Sequence, residues 1–558
     1  MPDALNPKPM AAYTAPVNIP TVKTDTNTLP PRHVWFSRNA PAIAACALLA
    51  GLLAIPGLHA QRLNEGHLAY TLDDPYIHMA IAKNLAQTHV FGVTPYAFSS
   101  ASSSPLWTLL LAALFKLVGL QTWLPGACAL LAAFGALFLA NAIAIHGGLG
   151  TRARLITCAL IAYLTPLPSL VSTGMEHALH VFFVLLLLRA MLRSLAPSPP
   201  RADAAWLCAA SALATATRYE TLFIIAPCGL VLLMHKRWKP AFLMGLSAAL
   251  PVLIYGLFSI AHGIDFLPNS LMLKGQFHTF SGAAIRALLI APHMAALAIP
   301  LLLAALPAAH RRAPWRWLCL TLPCAMLLHL QFANTGWFFR YESYLMGAGI
   351  LAACLAWLPY LQAALAPMAA APVRRRGILI FALFGAAILP LNARAVESLR
   401  RIVPASRHIY HQQIQNGRFI AKYLPPKSRV AVTDLGAITF FTDADVLDLF
   451  GLGNVDVARA KRQGTYNTAT IAHWLHDRDI EAVIVYAYMF QGESALPGFL
   501  VPAFSLTTLN HYWGPVVTYF GTSVERARHL QEAFRRFQTE LPPGVSVETY
   551  APVPLSAQ

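Results

Sequence analysis

"TLDDPYIHMAIAKNLAQTHVFGVTPYAFSSASSSPLWTLLLA" runs from Thr71 to Ala112. Two adjacent carboxylates, Asp73 and Asp74, follow one apolar run (about 41–60) and precede the next, which begins near residue 106. The chain around them is short of acids, with 24 Asp and Glu against 41 Lys and Arg. An ionised group close to hydrocarbon is costly unless it is paired or functional. Two negative charges side by side at a membrane boundary therefore need a reason.

The boundary itself follows from composition. The 558 residues are 57% hydrophobic and only 12% charged, with a mean hydropathy of +0.53. Soluble chains carry roughly 25% charged residues. Apolar segments fall at about 41–60, 106–120, 122–146, 151–172, 176–193, 204–217, 221–234, 241–261, 286–306, 317–332, 343–361 and 377–394. A stretch of roughly 20 residues crosses a bilayer as a helix. The chain is expected to be a polytopic α-helical membrane protein in contact with a lipid bilayer.

The net charge of +17 does not indicate nucleic acid. Lys and Arg gather in short clusters between apolar runs: "HKRWK" (His235 to Lys239), "HRRAPWR" (His310 to Arg316) and "RRR" (Arg374 to Arg376). That is the signature of inside loops, and no basic stripe interleaved with aromatics accompanies it. All 8 cysteines lie in apolar segments without metal-ligand spacing, which argues against a disulfide framework or a zinc site. Residues 1–40 are polar and Pro-rich, too long and polar for the n-region of a cleavable signal. They are expected to form a disordered cytoplasmic tail ahead of an uncleaved first span.

Topology follows from parity. The basic tail and "RRR" before the last segment both sit inside, so everything after Arg394 lies outside, and an odd number of crossings is required. About 11 transmembrane helices are expected, with the short pair 204–217 and 221–234 the place for the shortfall. The 61–105 loop lies outside as well, in the same compartment as residues 395–558. The transmembrane part is then 41–394. Residues 395–558 are polar and read as an external α/β domain, periplasmic in a cell with an inner membrane. "SRVAVTDLGAITFFTDADVLDLFGLGN" (Ser428 to Asn454) carries apolar strand-like runs around Asp-Leu-Gly. "TIAHWLHDRDIEAVIVY" (Thr470 to Tyr486) reads as helix then strand. "SVERARHLQEAFRRFQTEL" (Ser523 to Leu541) is an amphipathic helix with Ser523 as N-cap.

The loop helix after Asp73 presents Ile77, Ala80, Ile81 and Leu85 at helical spacing, an apolar face suited to the interface. Asp74 can cap it, and Pro75 suits its first turn. Asp73 is then free to act as a general base. Other polar groups fall at segment ends: Glu176 and His177, Arg218 and Glu220, Asn269 and Lys274, Arg340 and Glu342. Lys274 and Arg340, on outside loops, suit an anion. Arg218 is equally suited to a buried pair with Glu220, and His78 to a plain helix face. Asp73, Asp74 and Glu176 together suit a hard divalent cation, although no dense acidic motif demands one.

These residues resemble the GT-C membrane glycosyltransferases, most of all the branch of terminal β-1,2-arabinofuranosyltransferases. The similarity rests on Asp-Asp-Pro-Tyr-Ile, on Lys83-Asn84-Leu85, and on "SSPLWTLLLA", which contains Trp107. It continues in order through "STGMEHAL", "TRYE" (Tyr219 standing where proline is usual), "PNSLMLK" and "VAVTDLGAI…VLDLFGLGN". The resemblance implies a sugar donor on a polyprenyl phosphate, a glycan, lipid or protein acceptor, and inversion at the anomeric carbon. Carried onto this chain, it makes Asp73 the base and gives Asp74 the acceptor or a cation to position. Lys274, with Arg218 or Arg340, would steady the departing phosphate. His78, Glu176, Glu220, Trp107 and Asn269 are expected to line the substrate site. A transporter is the rival reading. It too would place charges near the membrane, but it needs no external domain of this size, and no inverted repeat is visible.

Overall fold

A computed structural model describes residues 31–274, 282, 289–305, 314–364, 371–508 and 514–551. All twelve apolar segments are largely helical over their described residues. Among the described residues, six helices are long and apolar enough to cross a membrane: Val34–Leu63, Leu124–His146, His177–Ser194, Trp238–Ala261, Ser343–Ala364 and Gly377–Tyr423. Pro105–Val118, Tyr219–Met234 and Pro292–Ala305 are shorter apolar helices. The 151–172 segment breaks into Thr151–Leu164 and Leu167–Ser172. Pro166 and Pro168 explain the break, because proline removes a donor and clashes with the preceding turn.

Two expected boundaries move. Residues 31–40, read as tail, belong to the helix Pro31–Leu63, which starts on a proline, a residue suited to a first turn. At the other end, the helix Ala371–Ile409 runs straight through residue 394. It continues through a π turn (Tyr410–Ile414) into Gln415–Tyr423. The polarity change at 394 is real, but Arg394 is 4% exposed and pairs inside the bundle with Glu342 (Nη2–Oε1 3.0 Å). A buried pair of this kind does not end a helix.

The chain then forms one six-stranded sheet: β1 (Arg429–Val432), β2 (Asp445–Asp448), β3 (Ala482–Val485), β4 (Val501–Thr508), β5 (Val516–Gly521) and β6 (Val545–Thr549). The order is β2-β1-β3-β5-β4-β6. β1 pairs parallel with both β2 and β3, and the remaining pairings are antiparallel. The amphipathic helix Val524–Phe537 packs its Phe534 face-on against Phe504 of β4 (centroids 3.7 Å apart). Ser523 caps it, accepting from the Arg526 N–H at 3.2 Å.

The loop helix Asp74–Thr88 joins the two parts. Its residues Pro75 to Asn84 are all buried, so it is enclosed by protein and does not lie open at a membrane surface. The helix Pro105–Val118 packs against it, as does the short helix Gly436–Phe441 of the C-terminal domain. Every helix leaves N–H groups unpaired at its start and C=O groups at its end. Here both ends are answered from the loop. The Asp73 carboxylate accepts from the Gly436 N–H (2.6 Å) and the Ala437 N–H (2.8 Å). Further along the same loop, Lys83 Nζ donates to the carbonyls of Thr439, Phe440 and Thr442 (3.1, 3.0 and 2.9 Å) and to Asp443 (3.2 Å). Negative charge at the amino end and positive at the carboxyl end also match the helix dipole. Gly436 is required for this approach: a Cβ there would sit 2.7 Å from Asp73 Oδ2.

Lys83 is 5% exposed, and three of its four partners are carbonyls. Hydrogen bonds made by a charged donor are each worth about 1.5–3 kcal/mol. Lys83→Met should therefore release the short helix. Hydrogen exchange of the 437–441 amides should speed up by tenfold or more, with the β3 amides unaffected. Equal protection in variant and parent would show that Lys83 does not hold this contact.

Candidate active site

Two cavities meet at the loop helix. The first, about 650 Å³, is lined by the polar and charged side chains of Asp74, His78, Arg218, Glu220, Arg340 and Arg462. Its lining also includes the apolar Leu222, Leu267, Leu271 and Phe332, exposed by 38, 38, 37 and 39%. The second, about 530 Å³, lies between the loop and the C-terminal domain and takes in Asp73, Asp74, Trp337, Asp434 and Tyr486. Asp74, Ile77, Asn334, Tyr341 and Leu452 line both, so these residues form the common wall.

The two acids have different partners. Asp74, expected as the cap, is instead the first residue of the loop helix and forms an ion pair with Arg340. Asp73 stands at the cap position but makes no side-chain cap bond to that helix. It caps the short helix Gly436–Phe441 instead, a duty the sequence does not suggest. That leaves lone pairs to spare, because an ionised carboxylate offers about four acceptor positions. Burial, and then the neighbouring Asp434 carboxylate, push the Asp73 carboxyl well above the ordinary carboxylate range. The two backbone N–H groups pull the other way without cancelling that rise.

Arg218 is consumed by a buried network. Its Nη2 and Nε form a fork with Glu220 (2.5 and 3.1 Å), and its Nη1 reaches Glu176 (2.7 Å). Two carboxylates on one guanidinium leave it little charge to give an anion. Arg340, 1% exposed, has a single carboxylate, and its Nε finds no protein partner among the described residues. The Tyr341 ring lies between the two arginines, 5.6 Å from Arg218 and 5.1 Å from Arg340.

The stretch before Arg340 is strained. Gly336, Trp337, Phe338 and Phe339 all have positive φ (80, 39, 62 and 58°). Each non-glycine residue there costs about 1–2 kcal/mol. Glu342 accepts from the Gly336 N–H (3.0 Å) and Arg394 donates to the Phe339 carbonyl (2.5 Å), so their buried pair holds the turn from within. The turn places Trp337 and Tyr341 on the second cavity.

Of the expected site residues, Asp73, Asp74, His78, Arg218, Glu220 and Arg340 line one or both cavities. Glu176 stands behind Arg218 and is fully buried. Two others serve structure instead. Trp107 is fully buried in the bundle core. Asn269 donates its side-chain amide to the Leu452 carbonyl (3.2 Å) and so fastens a loop of the C-terminal domain. Lys274 closes the helix Asn269–Lys274, and its side chain lies outside the described residues. Asp73, Asp74 and Glu176 do not converge as a cation site. Among the described residues no group of three or more His, Cys, Asp or Glu is arranged to hold a metal ion. Sequence reasoning missed Tyr341, Trp337, Asp434, Gln413 and Tyr486. Asp434 stands inside the Asp-Leu-Gly motif and Tyr341 beside Arg340, but nothing local marks either as facing a cavity.

Residues 406–540 match a family described as a domain of unknown function, DUF8728. No curated protein matches the chain. Among solved structures the chain is similar to ArnT from Cupriavidus metallidurans bound to undecaprenyl phosphate, at 13% identity and a TM-score of 0.52. That match covers 88% of this chain and 99% of that one. It is also similar to the Archaeoglobus fulgidus oligosaccharyltransferase tethered with an acceptor peptide, at 12% identity and a TM-score of 0.50. Here the coverage is 92% of this chain and 75% of that one. At such identities the likeness is one of fold: this is a membrane protein with the GT-C architecture and a strand-containing C-terminal domain.

Proposed function

We propose that the protein transfers a sugar from a polyprenyl-phosphate donor to an acceptor on the outer face of the inner membrane. The observation that carries this reading is the first cavity. Its lining combines buried Arg340 beside Asp74 with partly exposed apolar side chains such as Leu267, Leu271 and Phe332. A lipid phosphate has the same polarity: an anion on an isoprenoid tail. The similar fold of ArnT, solved with undecaprenyl phosphate bound, supports it. The transporter reading has no comparable support.

In this mechanism Arg340 binds the phosphate and offsets the charge that develops as the sugar leaves. The sequence resemblance gives Lys274 a share in holding that phosphate. Asp74 orients Arg340. The acceptor hydroxyl approaches from the second cavity, and Asp73 takes its proton. A carboxylate with a raised pKa is the stronger base, and a base fixed by two backbone N–H groups needs no reorganisation. Attack from one cavity on a donor held in the other favours inversion. The sequence resemblance favours a pentofuranose such as arabinofuranose, or mannose, as the sugar, and a cell-envelope glycan, lipid or protein as acceptor.

Asp73→Asn should reduce transfer by at least 10²-fold while leaving undecaprenyl phosphate binding close to that of the parent. An active Asp73→Asn enzyme would remove Asp73 from the chemistry. Arg340→Ala should weaken undecaprenyl phosphate binding by tenfold or more, read by direct titration of the purified protein. Unchanged affinity would take the phosphate away from Arg340.

The pH profile carries a signed expectation. The base works deprotonated, so kcat/KM rises with pH through the Asp73 pKa. Its acid limb should lie above the usual carboxylate value of about 3.9. Asp434→Asn deletes a like charge, so the limb should move to lower pH. A limb that stays in place would mean that Asp434 does not act on the base.

A further inference from the structure

The external domain has its own binding geometry. In a parallel sheet, ligands bind outside the carboxyl ends of strands where the connections diverge to opposite sides. Here that point lies between β1 and β3. From β1 the chain turns through the short helix to β2 on one flank, while β3 pairs on the other. Thr433 and Asp434 follow β1 directly, and Tyr486 follows β3. All three line the second cavity.

The chemistry of this crevice is specific. The Tyr486 hydroxyl lies 2.7 Å from Asp434 Oδ2 and 2.8 Å from Gln412 Oε1 and donates its one proton to either, and Gln413 donates to Asp434. Gln413 is 2% exposed, yet its carbonyl Oε1 finds no protein partner among the described residues. A buried acceptor in that state wants an O–H or N–H from a ligand. Around these polar groups stand the rings of Trp337, Tyr341 and Tyr488. A sugar ring presents hydroxyls at its edge and C–H groups on its faces, and this wall offers carboxylate, amide and aromatic planes to match. A peptide bound by strand addition needs a sheet edge. The edges here are β2 and β6, whereas β1 and β3 are interior.

We propose that the crevice at the carboxyl ends of β1 and β3 is the acceptor subsite and that it binds a carbohydrate. Asp434 and Gln413 take the ring hydroxyls, and Tyr488 and Trp337 cover the faces at the solvent mouth. The proposal rests on the transferase reading above and narrows the acceptor from glycan, lipid or protein to glycan.

The test uses the full chain in detergent, titrated in parallel with undecaprenyl phosphate and with a panel of methyl glycosides. The panel covers arabinose, mannose, glucose, galactose and N-acetylglucosamine, followed by saturation-transfer NMR. At least one glycoside should bind saturably. Asp434→Asn should weaken it about tenfold or more, and Tyr488→Ala, at a residue 58% exposed and so remote from the core, several-fold. Undecaprenyl phosphate affinity should be the same in both variants. Undecaprenyl phosphate binding with no glycoside bound, or glycoside binding indifferent to both variants, would overturn the subsite and leave the donor reading standing. An unglycosylated peptide that binds where no glycoside does would overturn it in favour of a protein acceptor. Glycoside binding sensitive to both variants, without undecaprenyl phosphate binding, would support the subsite and overturn the donor reading.

Discussion

The contact on which the site depends is a six-residue helix held at both ends by charges from another part of the chain. Gly436–Phe441 is too short to be stable alone, since helix nucleation is unfavourable and few bonds follow it. Its residues Ile438, Thr439, Phe440 and Phe441 are β-branched or aromatic, types that favour strands. It is helical because Asp73 answers its open N–H groups and Lys83 its open carbonyls. The same bonds fix the loop helix, and with it the position of Asp74 between the cavities. Domain docking and active-site geometry are one interaction.

Around that contact the charges sort into two classes. Glu342 with Arg394, and Arg218 with Glu176 and Glu220, are buried pairs that satisfy each other. Such pairs contribute little net stability, because the desolvation of both partners offsets their attraction. Their effect is on shape: one holds a left-handed turn, the other an elbow between two helices. Arg218 and Glu220 line the first cavity as Arg340 does, but Arg340 holds a single carboxylate, and Asp73 and Asp434 line the second cavity. Asp73 keeps lone pairs beyond its two bonds to Gly436 and Ala437, and Arg340 Nε has no protein partner among the described residues.

Much of this was legible in the sequence, and the pattern of what was not is instructive. Span positions follow from hydropathy because a bilayer core accepts only closed hydrogen bonding. Asp73 and Asp74 stand out because charge is rare there. Ser523 is readable as a cap because its partner lies within one turn. The actual role of Asp73 is not readable, since its partners Gly436 and Ala437 are 363 and 364 residues away. The same local logic makes Asp74 a cap, and a distant Arg340 claims it instead. Trp107 looks like a site residue by motif and is core by packing. The aromatic wall of the second cavity leaves no trace in spacing, because it is assembled from a strained turn and the ends of two strands.

The continuous helix from Ala371 to Tyr423 gives the C-terminal domain its covalent attachment, and the short helix, with the Asn269–Leu452 bond, gives it noncovalent ones. The segment matching a recognised family, 406–540, contains most of the sheet but neither Asp73 nor Lys83. It therefore ends where its own stability does not. Expressed alone, it would carry a helix with both ends unanswered and half of a cavity. As a folded unit, the working module is this domain together with residues 71–83.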